Sequence, residues 1–227
     1  MLKKNCIAFI VLSLFILSAC NDDPTSANDE ETVTDMDGNT YQIVKIGDQW
    51  WMAENLKVTH YRNGDPIPNV TVDSQWVNLA YGAYCDYSNN AENADVYGRI
   101  YNWYTVNDHR IIAPSGWRVP NQTDWQNLIA YLGGSTVAGG KMKQSGTELW
   151  RIPNFGANNE SGFNAIPVGL RSNSGYFIET GINAYFWSSS ESNLYIGFAL
   201  KLSYGHAEAL LGGYDKQLGF TIRCIKE

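Results

Sequence analysis

The chain has 227 residues, 16 Lys and Arg against 23 Asp and Glu, and a formal net charge of −7. An acidic chain with no Lys/Arg cluster repels phosphate backbones, which excludes nucleic acid as an expected partner.

The first twenty residues read as a processing signal. Lys3 and Lys4 give a basic start, Ile7 to Leu17 an apolar run too short to span a bilayer with margin, and Leu17-Ser18-Ala19-Cys20 a small-residue close. That close resembles a bacterial lipobox, which implies cleavage after Ala19 and a lipid on Cys20. The expected membrane partner is therefore a bilayer reached through multiply acylated Cys20, since one acyl chain anchors only marginally. Loss of residues 1–19 removes Lys3 and Lys4 and moves the charge from −7 to −9.

Asn21 to Glu31 carries Asp22, Asp23, Asp29, Glu30 and Glu31 with no large apolar side chain, so residues 20–31 read as the lipidated cysteine and a solvated acidic tether. The acid run resembles the surface-export signals of Bacteroidota lipoproteins, and a plain spacer has the same composition. The expected location is the cell envelope, lipid-anchored at the outer membrane and facing outward. Residues 32–227 then suit one domain.

Thr32-Val33-Thr34, Thr40 to Ile46 and Gln49 to Met52, separated by Asp35 to Asn39 and Gly47-Asp48, read as two hairpins. Asp35-x-Asp37-Gly38 is not a calcium loop, because the frame of its glycine puts Val33 and Val44 at ligand positions. Residues 57–95 read as long loops with short strands around Trp76 and Tyr84. Asp95 is expected to cap a helix through Val96, Ile100 and Trp103, with Gly98 weakening it by ~1 kcal/mol.

A strand at Gly116 to Val119 leads into the strongest helix signal, with Trp125, Leu128, Ile129 and Leu132 at i, i+3, i+4 and i+7. Asn121 is the expected N-cap, Asp124 the first-turn acid and Gly133 the stop. Beyond Gly134 short strands are expected, the best being Phe163–Arg171, Ala184–Ser188, Ile196–Leu202 and Phe220–Ile225, with Pro153 and Pro167 marking edges or irregular pairing. The fold class is α+β. Of the four cysteines, Cys6 leaves with the signal and Cys20 takes lipid. Cys85 and Cys224 are then either a disulfide, as an oxidising exported compartment favours, or two buried thiols.

Six ordered blocks resemble the Fibrobacter succinogenes major paralogous domain: Trp50 to Leu56, Tyr97 to Trp103, Gly116 to Pro120, Glu160 to Phe163, Phe186 to Glu191 and Gly219 to Cys224. The resemblance covers nearly all of residues 32–227 and carries no assigned reaction. Trp117-Arg118-Val119-Pro120 followed by Asp124-Trp125 is also similar to the formylglycine-generating enzymes and the wider C-type-lectin-like fold. This implies two helices packed on irregular, mostly antiparallel sheets, with the first and last strands paired. Relatives often carry a cysteine where this chain has Ala113, which leaves Cys85 with Cys224 as the candidate disulfide pair.

Catalytic chemistry is not expected, and the chain reads as no enzyme. The formylglycine-generating enzymes work through cysteines that do not carry over to Cys85 and Cys224. No nucleophile elbow or phosphate-cradling glycine loop occurs, His60, His109 and His206 stand apart, and Ser188-Ser189-Ser190-Glu191 reads as a strand end. No cofactor is expected. Two oxygen-rich stretches, Asp86 to Asp95 and Asn154 to Glu160, offer calcium donors, yet no motif supports calcium and they read as solvated loops. The remaining resource is aromatic: Trp76, Trp150, Tyr185, Tyr195 and Tyr204 lie among polar residues and are the candidate ligand-binding set. The expected function is a non-enzymatic binding domain on an envelope lipoprotein, taking a glycan or an envelope protein through loops of residues 57–95 and 134–215. The alternatives are a structural or self-assembling envelope component and, third, an enzyme of the formylglycine-generating fold type.

Overall fold

The computed structural model describes residues 31–227, so the signal of residues 1–19, Cys20 and tether residues 21–30 lie outside the described residues. The two N-terminal hairpins form as expected, from β1 (Thr32–Thr34), β2 (Thr40–Ile46) and β3 (Gln49–Met52). The Asp35 carboxylate closes the first turn by accepting from the Asp37 and Asn39 amides at 2.9 and 3.0 Å and from Tyr41 Oη at 2.5 Å. Asp35 thus ties a turn.

After α1 (Asp73–Trp76) and β4 (Tyr84–Asp86), the helix expected from Asp95 to Trp103 breaks into α2 (Ala94–Tyr97), β5 (Arg99–Asn102) and α3 (Trp103–Val106). Gly98 is the reason. Its φ of +70° lies in the left-handed region, and a Cβ there would stand 2.5 Å from Asn55 Cβ. The i, i+4, i+7 spacing is met by three short elements, of which β5 buries Ile100 and α3 buries Trp103, while Val96 on α2 stays exposed. Trp103 still reaches the core, where its indole N–H donates to the Ser188 carbonyl at 2.9 Å.

β6 (Trp117–Arg118) leads into α4 (Gln122–Tyr131), which forms as its signals dictate. Asn121 Oδ1 accepts from the Asp124 amide at 3.0 Å, and Asp124 Oδ2 accepts from the Asn121 amide at 2.7 Å, a reciprocal capping box. Arg118 grips the same carboxylate through both terminal nitrogens. The apolar face buries Trp125, Leu128, Ile129 and Leu132 in a cluster with Trp51, Phe163 and Phe186. Burying each of these side chains contributes about 2 kcal/mol.

Beyond Gly134 the expectation of strands alone fails at once. α5 (Ser135–Met142) follows, its Gly139 and Gly140 allowing close approach to the carbonyls of Glu208 and Gly156. Two glycines at its centre hid the helix from propensity reasoning. The strand expected over residues 163–171 shrinks to β7 (Leu170–Arg171), which pairs with β8 (Phe177–Ile178). β9 (Asn183–Glu191) and β10 (Ile196–Ser203) match the two clearest strand readings, and β11 (Ala209–Asp215) extends them to a three-stranded sheet. The last expected strand splits into β12 (Gly219–Phe220) and β13 (Ile225–Lys226).

The split lets one C-terminal segment join two five-stranded sheets. β13 lies between β3 and β6 in the order β1-β2-β3-β13-β6, and β12 between β5 and β7 in the order β4-β5-β12-β7-β8. The named strand pairs are antiparallel. The C-terminal strand thus closes onto the N-terminal sheet through β3 rather than through β1. The architecture is mixed α and β, with short helices on curled, mostly antiparallel sheets.

Cys85 and Cys224 are not bridged. Both are free and buried, Cys85 in the cluster around Trp76 and Ile100, Cys224 in the one around Met52 and Phe220. Burial pushes the Cys85 thiol up to about 12 and raises that of Cys224 as well, so neither is a ready thiolate.

Candidate functional site

The aromatic set does not form a site. Trp76, Trp150 and Tyr185 are buried. The Trp76 indole donates to the Gln217 carbonyl at 3.0 Å and that of Trp150 to the Ala165 carbonyl at 2.9 Å, while Tyr185 Oη donates to Glu179 at 2.6 Å. Their polar tips are spent on the chain itself. Tyr195 is 74% exposed, on the turn before β10, and half-buried Tyr204 follows that strand. An eight-residue strand sets them roughly 25 Å apart, too far for one small ligand.

The oxygen-rich stretches are also committed to local turns. Asn89 donates to the Thr71 carbonyl and Asn93 to that of Tyr87, and Asn90 Oδ1 accepts from the Glu92 amide. Asp86 faces Arg99 at 3.0 Å. Asn154 donates to the Gln144 and Gly146 carbonyls, while Asn158 and Asn159 accept backbone amides. Among the described residues no three His, Cys, Asp or Glu gather as a metal-holding set. His60 does have an acidic neighbour, with Nδ1 2.6 Å from Asp37 Oδ1. Burial works against the Asp37 charge, but the Thr59 amide and hydroxyl and His60 together hold its pKa below the ordinary value. The serine run is structural: Ser188 Oγ accepts from the Ser190 amide, Ser190 Oγ from that of Gln122, and Glu191 pairs with Lys216.

Polar groups do converge elsewhere, around a cavity of about 310 Å³ lined by Ala53 to Asn55, Lys57, Asp95, Val96, Gly98, Gln144, Leu149, Asn164, Ile166 and Arg223. Backbone pairing builds it. The Met52 amide donates to the Cys224 carbonyl at 3.0 Å and the Leu56 amide to that of Ile222 at 2.9 Å, which carries Asn55 alongside Arg223. Gly98 lets the turn after α2 press against Asn55, whose amide donates to the Tyr97 carbonyl at 2.9 Å. The Gln144 amide donates to the Ala165 carbonyl at 2.9 Å and thereby adds the segment after α5 to the wall.

Arg223 sits at the inner end, 1% exposed. Its Nε donates to Asn55 Oδ1 at 2.9 Å, one terminal nitrogen to the Phe163 carbonyl, and the other to the Asn164 carbonyl at 3.0 Å. The guanidinium carbon also lies 4.4 and 5.2 Å from the ring centroids of Phe163 and Phe186, which back it with aromatic faces. All three bonded partners are neutral. Burial pushes its pKa below the ordinary arginine value, with the Glu54 charge working the other way, and an arginine stays protonated at neutral pH. Glu54 is itself engaged, accepting from the Gln42 amide at 2.9 Å and pairing with Lys57 at 3.4 Å near the rim.

A second buried cation lies one residue before Gln144. Lys143 is 0% exposed, and its ammonium donates to the carbonyls of Phe155, Ser203 and His206 at 2.9, 2.8 and 2.8 Å, 5.4 Å from the Trp150 ring centroid. Burial pushes its pKa down to about 8. Its three donors are all used, so it is a knot and not a site.

The cavity was missed because its residues belong to blocks read as signatures of a fold. Three of the six quoted stretches reach it, Glu54 and Asn55 from the first, Gly98 from the second and Arg223 from the last, and Asn164 follows directly on a fourth. The signal lay in the polar residues inside those blocks, which an aromatic search passes over.

Residues 44–226 match the model of the Fibrobacter succinogenes major domain. No curated protein and no solved structure matches the chain.

Proposed function

The chain belongs to the Fibrobacter succinogenes major domain family, and from that premise we propose that it is a lipid-anchored envelope protein displaying a non-enzymatic, C-type-lectin-like binding domain whose ligand is a glycan. The observation that carries this reading is the cavity at which three of the family-resembling blocks meet. It offers amides and charged groups of both signs in a space at the small end of ligand sites. Alternating donors and acceptors around a pocket suit a polyhydroxylated ring. The anchor is the lipid on Cys20, the tether the acidic run after it, and the location the outer membrane, facing outward. No helix among the described residues is long and apolar enough to cross a membrane.

The test is a glycan array probed with the purified protein, with calcium and with a chelator. Hits that survive the chelator and vanish when Gln144 and Asn164 are changed to alanine support the reading. A blank array under both conditions contradicts it and moves the assignment to an envelope-protein ligand or a structural component.

A further inference from the structure

Arg223 is a buried cation that the chain surrounds with neutral oxygens, at the inner end of a cavity open to solvent. A guanidinium has five N–H donors, and three are bonded here. One remains on each terminal nitrogen, the number that a carboxylate takes in two parallel charge-assisted bonds. A buried cation without a bonded anion is costly, and an incoming carboxylate removes that cost. The surrounding polar groups are of a different kind. The Gln144 side-chain amide has no hydrogen-bond partner among the described residues, and the Asn164 amide nitrogen donates to none. Exposed Asp95 stands at the rim.

We propose that the cavity is a site for an acidic sugar, a ring bearing one carboxylate, with Arg223 taking the carboxylate and the amides of Gln144 and Asn164 taking ring hydroxyls. This rests on the glycan reading above and narrows it. The chain as a whole is acidic, with a formal charge of −7, so general electrostatics disfavour an anionic ligand. A preference for acid over neutral sugar must therefore come from a local cation, and Arg223 is the one buried in this wall. Lys57 does not substitute for it, because Glu54 already neutralises it at 3.4 Å.

The test uses the full chain kept in detergent micelles and oligosaccharides ending in glucuronic or galacturonic acid, each compared with its methyl ester and with its neutral hexose counterpart. The methyl ester removes the charge while keeping the ring, so the comparison needs no altered protein. The expected result is binding of the acid about ten- to a hundredfold tighter than of ester or hexose, the range of a hydrogen bond to a charged group. The Arg223→Lys variant should erase most of that preference, because a point charge replaces a planar fork. Should that variant fail to fold, the ester comparison decides alone. Equal binding of acid, ester and hexose overturns the acidic-sugar site and leaves the glycan reading standing. Absence of binding to all three, together with a blank array, overturns both.

Discussion

Lys143 and Arg223 are both buried and both bonded to neutral oxygens, yet they do different things. Around Lys143 the carbonyls of Phe155, Ser203 and His206 saturate an ammonium that has three donors to give. Around Arg223 the chain supplies three acceptors to a group with five, and leaves a cavity beside it. Counting donors against acceptors, rather than measuring burial, is what separates a structural knot from a site. A buried charge has an open function only where its hydrogen-bond capacity exceeds what the chain returns.

The largest effect expected from breaking this contrast is at the knot. Lys143→Met removes the ammonium and strands the Phe155 and His206 carbonyls, a loss of roughly 2–6 kcal/mol in urea unfolding at about 1–3 kcal/mol per unsatisfied buried group. A loss below about 1 kcal/mol would mean that water reaches those carbonyls and that the knot is open after all. Gly98→Ala attacks the cavity wall instead. The added Cβ meets Asn55 at 2.5 Å with φ at +70°, so a loss of about 2–3 kcal/mol is expected from strain and overpacking, along with weakened ligand binding. Unchanged binding in a folded Gly98→Ala protein would detach the cavity from function.

How far these regions could be read from the chain differs for a physical reason. α4 was legible because its cap, first-turn acid, apolar face and terminal glycine are all local, and the capping box at Asn121 and Asp124 formed as expected. The hairpins of residues 32–52 were legible for the same reason. The break at Gly98 was not, because what forbids a side chain there is Asn55, distant in sequence. Nor was the cavity, since Asn55, Asn164 and Arg223 are brought together by backbone pairing between segments far apart. The burial of Trp76 and Trp150 was not legible because a tryptophan among polar neighbours in sequence can still be buried in space: Trp76 lies over the Arg171 guanidinium, 4.5 Å from centroid to carbon, and Trp150 covers Lys143.

Two smaller predictions sharpen the comparison. Asn121→Ala removes the cap of α4, which does not line the cavity, and should cost about 1 kcal/mol with no change in ligand binding, which a paired melt and binding titration would check. If binding falls too, the cavity depends on α4 more than its geometry suggests. The smallest effect is a slope with pH. Lys143 has a folded pKa near 8 against an ordinary 10.5, so between those values the unfolded chain binds more protons and this group's contribution to stability rises with pH. Urea unfolding at pH 8 and 9.5 should show a term that Lys143→Met lacks. An identical slope in the two proteins would mean that the three carbonyls restore the ammonium fully.

The measurement closest to the central claim is an NMR titration that follows the side-chain amides of Asn55, Gln144 and Asn164 and the guanidinium Nε–H of Arg223 as a uronic-acid oligosaccharide is added. The account predicts saturable shifts at these four groups while the Lys143 surroundings stay still. Shifts centred on Tyr195 or Tyr204, with the Arg223 signal unmoved, would contradict it.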